Sequence, residues 1–160
     1  MVTCISHSPA ETEALGEAWG RAAAPGLVIG LTGDLGAGKT QLVRGLARGL
    51  GIAQRVHSPT FAIVNNYAGG RLPLAHLDLY RLETPDQVYS AGLEEYLQPE
   101  GVAVIEWVER WFGPGIPSPV SPSACADWLA TGKFARNFRW ARIQTSGETE
   151  RQIVYDDFGA

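Results

Sequence analysis

The sequence predicts an α/β fold, a sheet of strands alternating with helices and extended by antiparallel hairpins. Three observations lead there. Leu27-Val28-Ile29-Gly30-Leu31 is a continuous apolar run bounded by turn residues, as in a strand buried on both faces of a parallel sheet. A glycine-rich turn and a helix-forming stretch follow it directly. A second run of the same kind, Val102-Ala103-Val104-Ile105, ends on a carboxylate, Glu106. At 160 residues the chain has the size of one domain, residues 1–160, and its 45% hydrophobic content is enough for a real core.

Taken in order, residues 2–7 alternate weakly and read as a short strand. Ser8-Pro9-Ala10-Glu11 opens a helix: Ser8 caps, Pro9 suits the first position, and Glu11 closes a capping box. Ala14, Leu15, Ala18, Trp19 and Ala22 continue at helical spacing until Pro25-Gly26. After the strand at 27–31 and its glycine-rich turn, residues 39–50 read as a helix ending at Gly51. Residues 61–67 and 72–78 flank Ala68-Gly69-Gly70-Arg71, a hairpin signal. Thr84-Pro85-Asp86-Gln87 repeats the capping-box pattern and opens a short helix. Pro114, Pro117, Pro119 and Pro122 make 113–122 an irregular loop, and 124–130 has room for one or two helical turns. Residues 140–144 and 151–156 read as two strands around a polar turn.

Composition narrows the function. The net charge of −4 argues against a general nucleic-acid coat, which is normally basic. No apolar run approaches the roughly 20 residues of a membrane span, and the first residues lack the basic and apolar regions of a signal peptide. Cys4 and Cys125 are far apart and fit no zinc spacing, so two reduced, buried thiols are expected. The expectation is a cytoplasmic protein without membrane contact.

Gly33-Asp34-Leu35-Gly36-Ala37-Gly38-Lys39-Thr40 matches G-x-x-x-x-G-K-T, with a buried strand before it and a helix after it. Phosphate oxygens need several donors at once, so the backbone must wrap closely around them. Glycines permit the dihedrals and approaches that a side chain blocks. The following helix points free N–H groups and its positive dipole end at the anion. Lys39 supplies charge to the β- and γ-phosphates, and Thr40 offers a hydroxyl to Mg²⁺. The chain has eleven Arg but lysine only at 39 and 133, so it uses lysine where this loop needs it. Neither lysine lies in an Asn-Lys-x-Asp box of the guanine-specific kind, which favours ATP. The predicted nucleotide contacts are Gly33, Asp34, Leu35, Gly36, Ala37, Gly38, Lys39, Thr40 and Gln41.

Mg²⁺ prefers oxygen ligands and keeps several waters. A loop of this kind therefore calls for an acidic residue at the end of a neighbouring strand. Glu106 and Asp78 both qualify, and the pattern does not choose between them. His57-Ser58-Pro59-Thr60 stands where such folds place a mobile loop, though Ser-Pro also makes plain turns. Trp107 and Trp111 read equally as core aromatics, and Arg44 and Arg48 as a solvated helix face. His7, His57 and His76 are scattered, with no evident nucleophile–base pair.

Four segments together resemble one family. They are the loop at 33–40, Ser58-Pro59-Thr60-Phe61, His76-Leu77-Asp78-Leu79-Tyr80-Arg81-Leu82 and Val104-Ile105-Glu106-Trp107. Their order and approximate spacing are similar to those of the bacterial TsaE (YjeE) family, and Gly92-Leu93-Glu94-Glu95-Tyr96 also fits. The resemblance is strong over about residues 10–112. It implies a three-layer P-loop NTPase fold with a mixed β-sheet. It also implies a weak ATPase that supports threonylcarbamoyladenosine formation on tRNAs reading codons that start with A. The implied partners are TsaD and TsaB, with tRNA reached only through that complex. By motif position, Thr40 and Glu106 would hold Mg²⁺, and Asp78 would be the second acidic residue of the hydrolytic site. Thr60 would belong to a switch-like loop, and Trp107 would sit beside the site. The adenine region would fall near Ser8, Pro9 and residues 149–151. Residues 114–136 match no family motif and read as an irregular loop or insertion. A P-loop small-molecule kinase is the competing enzyme, with Arg136, Arg139 and Arg142 available for a lid.

Overall fold

The computed structural model describes residues 1–112 and 137–158. Among these residues, seven strands share one sheet: β1 (Val2–Ser6), β2 (Leu27–Thr32), β3 (Val64–Tyr67), β4 (Leu74–Asp78), β5 (Val102–Glu106), β6 (Asn137–Thr145) and β7 (Arg151–Phe158). Their order is β1-β7-β6-β2-β5-β4-β3. The four central strands, β6, β2, β5 and β4, run parallel. Antiparallel pairs flank them, β3 on β4 at one side and β7 on β6 at the other, with β1 antiparallel to β7 beyond that. The mixed sheet with added hairpins is the architecture predicted.

Alternation along the central strands builds two cores. Ile29, Leu31, Val102 and Val104 face helices α1 (Pro9–Ala22) and α2 (Lys39–Gly49), where Trp19, Val43 and Leu46 cover them. Val28, Ala103, Ile105 and Leu77 face the other way, toward α3 (Pro85–Ser90), a 3₁₀ turn at Glu94–Leu97 and α4 (Glu109–Phe112). Helices thus cover both faces, which makes three layers. Helix α2 lies very close to α1 because glycines meet backbone there. A Cβ on Gly45 would stand 2.0 Å from the Glu13 carbonyl oxygen, and one on Gly16 2.2 Å from that of Leu42.

The predicted caps form, with one difference. Ser8 Oγ accepts from Glu11 N, and Thr84 Oγ1 from Gln87 N. The reciprocal side chains reach one residue further back, Glu11 to His7 N and Gln87 to Glu83 N. The strand expected over 61–67 begins only at Val64. Ile63 N donates to Pro59 O at 2.7 Å and Ile63 has φ 67°, so 59–63 close a turn. The strand expected over 72–78 begins at Leu74, and the helix expected over 39–50 ends at Gly49 with Leu50 as its cap. Cys4 is a half-buried free thiol, more open than the buried one expected. Cys125, the loop and helical turns expected over 113–130, the segment 114–136 and Arg136 lie outside the described residues. Among the described residues, no helix is long and apolar enough to cross a membrane.

Candidate nucleotide site

The site lies at the carboxyl ends of β2, β5 and β4. In open α/β sheets this edge is where loops leave parallel strands and ligands bind. After β2 the chain turns through Gly33 (φ 146°), Gly36 (φ 78°) and Gly38 (φ 107°), backbone states that side chains strain. Only Gly33 is also crowded: a Cβ there would stand 2.3 Å from Ile143 O, while nothing lies within 4 Å at Gly36 or Gly38. Those two are needed for their dihedrals, not for close approach. Arg151 Nε donates to Ala37 O at 3.0 Å and ties the loop to β7. The cap of α2 is Gly38, which has no side chain to accept from the first turn, so those N–H groups remain available to an anion.

Lys39 is 4% exposed and donates to Gly33 O at 2.5 Å and Asp34 O at 2.8 Å. Its Nζ stands 4.2 Å from the centre of the Trp107 ring. Burial pushes the ammonium pKa below its usual value, against the attraction of Glu106, Glu109, Asp78 and Asp34. Burial likewise raises the pKa of the Glu109 carboxyl, the nearby acid on α4.

Thr40 Oγ1 donates to Glu106 Oε1 at 2.9 Å. Asp78, beside Glu106 in the β4–β5 register, accepts from Ser58 Oγ at 3.0 Å and from Tyr80 N at 2.9 Å. Ser58 Oγ also shares a hydrogen bond with Thr60 Oγ1 at 3.0 Å. These residues line one cleft of about 290 Å³, with Lys39, Gln41 and Trp107 on its walls. Most of the predicted set is therefore brought together, whereas Gly33, Asp34 and Ala37 belong to the loop but do not line the cleft. Asp34 and Leu35 are both exposed; Leu35 lines the cleft, and the Asp34 carbonyl accepts from Lys39. Gln41 lines the cleft, but its amide nitrogen donates to Glu13 on α1. Thr40 and Glu106 present hard oxygens side by side, a donor set that suits Mg²⁺. Among the described residues no cluster of three or more His, Cys, Asp or Glu could hold a metal unaided. A cation held largely by phosphate and water needs no such cluster.

The placements of the tryptophans, histidines and arginines resolve what the residue pattern left open, and Trp107 lies beside the site as the resemblance implied. Trp111 is core, 2% exposed, whereas Trp107 is half-buried beside the cleft. His76 is not a stray histidine: its Nε2 lies 2.7 Å from Glu106 Oε1. Strand alternation was the available signal, since residues 76 and 78 point to the same face. Ser8 caps α1 and does not line the cleft. Its neighbour His7 stands 3.3 Å from the Glu150 carboxylate, which brings the start of α1 to the β6–β7 turn, the two places near which the resemblance puts the adenine region. Arg48 pairs with Glu13 and Glu17, consistent with a solvated helix face, while Arg44 borders the cleft. Arg139, one of the arginines of the kinase reading, forks onto Asp157 and does not line the cleft.

A mixed three-layer sheet, a glycine-rich strand-to-helix loop and carboxylates on adjacent parallel strands define a fold of the P-loop NTPase class. Within it the family is settled by sequence. The family model described as Threonylcarbamoyl adenosine biosynthesis protein TsaE matches residues 6–127, and the chain belongs to that family. A relative named tRNA threonylcarbamoyladenosine biosynthesis protein TsaE, from Bacillus subtilis, is 48% identical over 100 residues. That match spans 62% of this chain and 62% of the relative, a little under two thirds of its length. The protein of the same name from Nostoc is 47% identical over 121 residues, 73% of this chain and 70% of that one. A crystal structure of Bacillus subtilis YdiB superposes with a TM-score of 0.70 at 31% identity, covering 99% of this chain and 86% of that one.

Proposed function

We propose that this chain binds Mg·ATP in the cleft, hydrolyses it slowly, and supports threonylcarbamoyladenosine formation on tRNAs reading codons that start with A. Its working partners in this reading are TsaD and TsaB, and tRNA is reached through them. Family membership supports the pathway. The observation that carries the chemistry is the meeting of Lys39, Thr40, Glu106 and Asp78 in one cleft at the uncapped start of α2.

Each residue then has a task. The loop N–H groups and Lys39 bind the phosphates, and Thr40 and Glu106 would hold the ion. Mg²⁺, when bound, supplies charge neutralisation and orientation of the phosphates. Asp78 orients the attacking water. Its hydrogen bond to Ser58, and through Ser58 to Thr60, links that point to the 57–61 segment, which can respond to the γ-phosphate. Such a hydrolytic switch needs no nucleophile of its own.

The test is a multiple-turnover modification assay with purified TsaD, TsaB, tRNA and threonylcarbamoyl-adenylate, with ATP consumption followed in parallel. This chain should sustain turnover, and the partners should stimulate its ATPase. If it adds nothing to turnover and instead phosphorylates a small metabolite, the kinase reading replaces this one.

A further inference from the structure

A buried histidine sits where the sheet meets the loop, and none of the roles proposed above uses it. His76 on β4 has no exposed surface. Its Nε2 lies 2.7 Å from Glu106 Oε1, the same oxygen that accepts the Thr40 hydroxyl at 2.9 Å. A carboxylate only accepts, so Nε2 carries the hydrogen and donates it. Nδ1 is buried with no partner among the described residues. As a packing residue this is a poor choice, because a leucine would fill the space without an orphaned polar atom. What a leucine would lose is the contact with Glu106.

We propose that His76 is a positioning residue that fixes the Glu106 carboxylate for the cation, an inference that rests on the proposed Mg·ATP site. A glutamate has three rotatable bonds, and one hydrogen bond does not set its orientation. Here Oε1 is gripped from two directions, by Thr40 from α2 and by His76 from the sheet. His76 is itself held, since β4 is paired on both sides and the ring is fully enclosed. Both donors go to Oε1, so Oε2 takes no hydrogen bond from either and Glu106 would keep it free toward the cation or its waters. Thr40, while donating its hydrogen, keeps lone pairs for the same cation. Residues that orient a metal ligand in this way typically change metal affinity by about 10–100-fold when removed.

The experiment compares His76→Leu and His76→Gln with the parent protein. Affinity for a fluorescent ATP analogue is measured across a Mg²⁺ series and without Mg²⁺. His76→Leu should raise the Mg²⁺ concentration needed for half-maximal enhancement of binding by about 10–100-fold, with Mg²⁺-free affinity unchanged. His76→Gln, whose amide can still donate, should recover most of the loss. An unchanged Mg²⁺ midpoint in folded His76→Leu overturns the inference, and so does a His76→Gln variant as impaired as the leucine one. If His76→Leu does not fold, the imidazole decides. In nucleotide-free, Mg²⁺-free protein the His76 Nε2 proton should be protected from exchange by NMR, and Glu106→Ala should shift or expose it. A resonance indifferent to Glu106→Ala overturns the contact. A parent protein that binds no nucleotide overturns the proposed function instead, and the imidazole signal still reports on His76.

Discussion

Lys39→Ala removes an ammonium that the fold has nearly enclosed. Two effects on stability oppose each other. The ammonium donates to Gly33 O and Asp34 O, and bonds from a charged donor contribute about 1.5–3 kcal/mol each. Burying a charge costs several kcal/mol. The direction of the pKa shift says which is larger for the charge: burial outweighs the pull of Glu106, Glu109, Asp78 and Asp34. Burial of the charge therefore offsets part of what the two hydrogen bonds contribute, and the variant should lose about 1 kcal/mol, or roughly 2–4 °C in melting temperature. Nucleotide binding should respond quite differently. Truncating one partner of a desolvated charge pair costs about 2–5 kcal/mol, which is about 30-fold to several-thousand-fold in Kd. Titration with a fluorescent ATP analogue, alongside a thermal melt, separates the two. Unchanged affinity in a folded variant would refute the phosphate-site reading. The lowered pKa also fixes a pH dependence. Between the folded value and the unfolded 10.5 the unfolded chain holds more protons, so this site's contribution to stability improves as pH rises through that window. ATP affinity should fall as pH rises through the folded value, below the pH at which an ordinary lysine titrates.

Glu106→Gln should impair Mg²⁺-dependent hydrolysis more than nucleotide binding, because the amide keeps the shape but loses the charge. Equal activity at every Mg²⁺ concentration would move the ligand role toward Asp78. Asp78→Ala should leave ATP affinity within about threefold while blocking hydrolysis and sustained tRNA modification, read by single- and multiple-turnover assays. Gly45→Ala should destabilise the fold by about 1–3 kcal/mol in urea unfolding, despite alanine's better helix propensity, because its Cβ meets the Glu13 carbonyl. A stabilised variant would show that α1 and α2 separate at little cost.

The loop was legible because its signal is local: Gly33, Gly36, Gly38, Lys39 and Thr40 all fall within eight residues of sequence. Glu106 and Asp78 were legible as strand-end carboxylates, but which one meets Thr40 came only from the family resemblance, not from the strand pattern. The contact depends on β5, and not β4, lying next to β2, a lateral order that sequence order leaves open. His76 was missed for the same reason, since its partner is 30 residues away on the neighbouring strand. Trp107 and Trp111, four residues apart, have separate fates, and the residue pattern did not tell them apart. Trp107 has φ 59°, a left-handed state at the end of β5, and its indole lies beside Lys39. A bulky residue in that state is not foreseeable from propensity.

The face of the sheet under α2 supports the division of labour proposed for the two acids. Along this face the register pairs are Leu74 with Val102, His76 with Val104, and Asp78 with Glu106. The pairs pass from apolar, through one polar ring, to two carboxylates as the strands approach the loop. Only the last pair borders the cleft, so an ion or water can reach it without opening the core. Within that pair the strand order separates the tasks. Glu106 is one strand from β2 and touches Thr40, the first hydroxyl of α2. Asp78 is one strand further out, about 4.8 Å more in a sheet, and its hydrogen bonds turn away from Thr40 toward Ser58 and Tyr80. A cation held at the loop belongs with the nearer acid. A water approaching the far end of a phosphate chain belongs with the acid that also contacts the 57–61 segment. Exchanging the residue types should therefore not exchange the roles: Asp78→Glu cannot replace Glu106 at Thr40, because the offset is a whole strand.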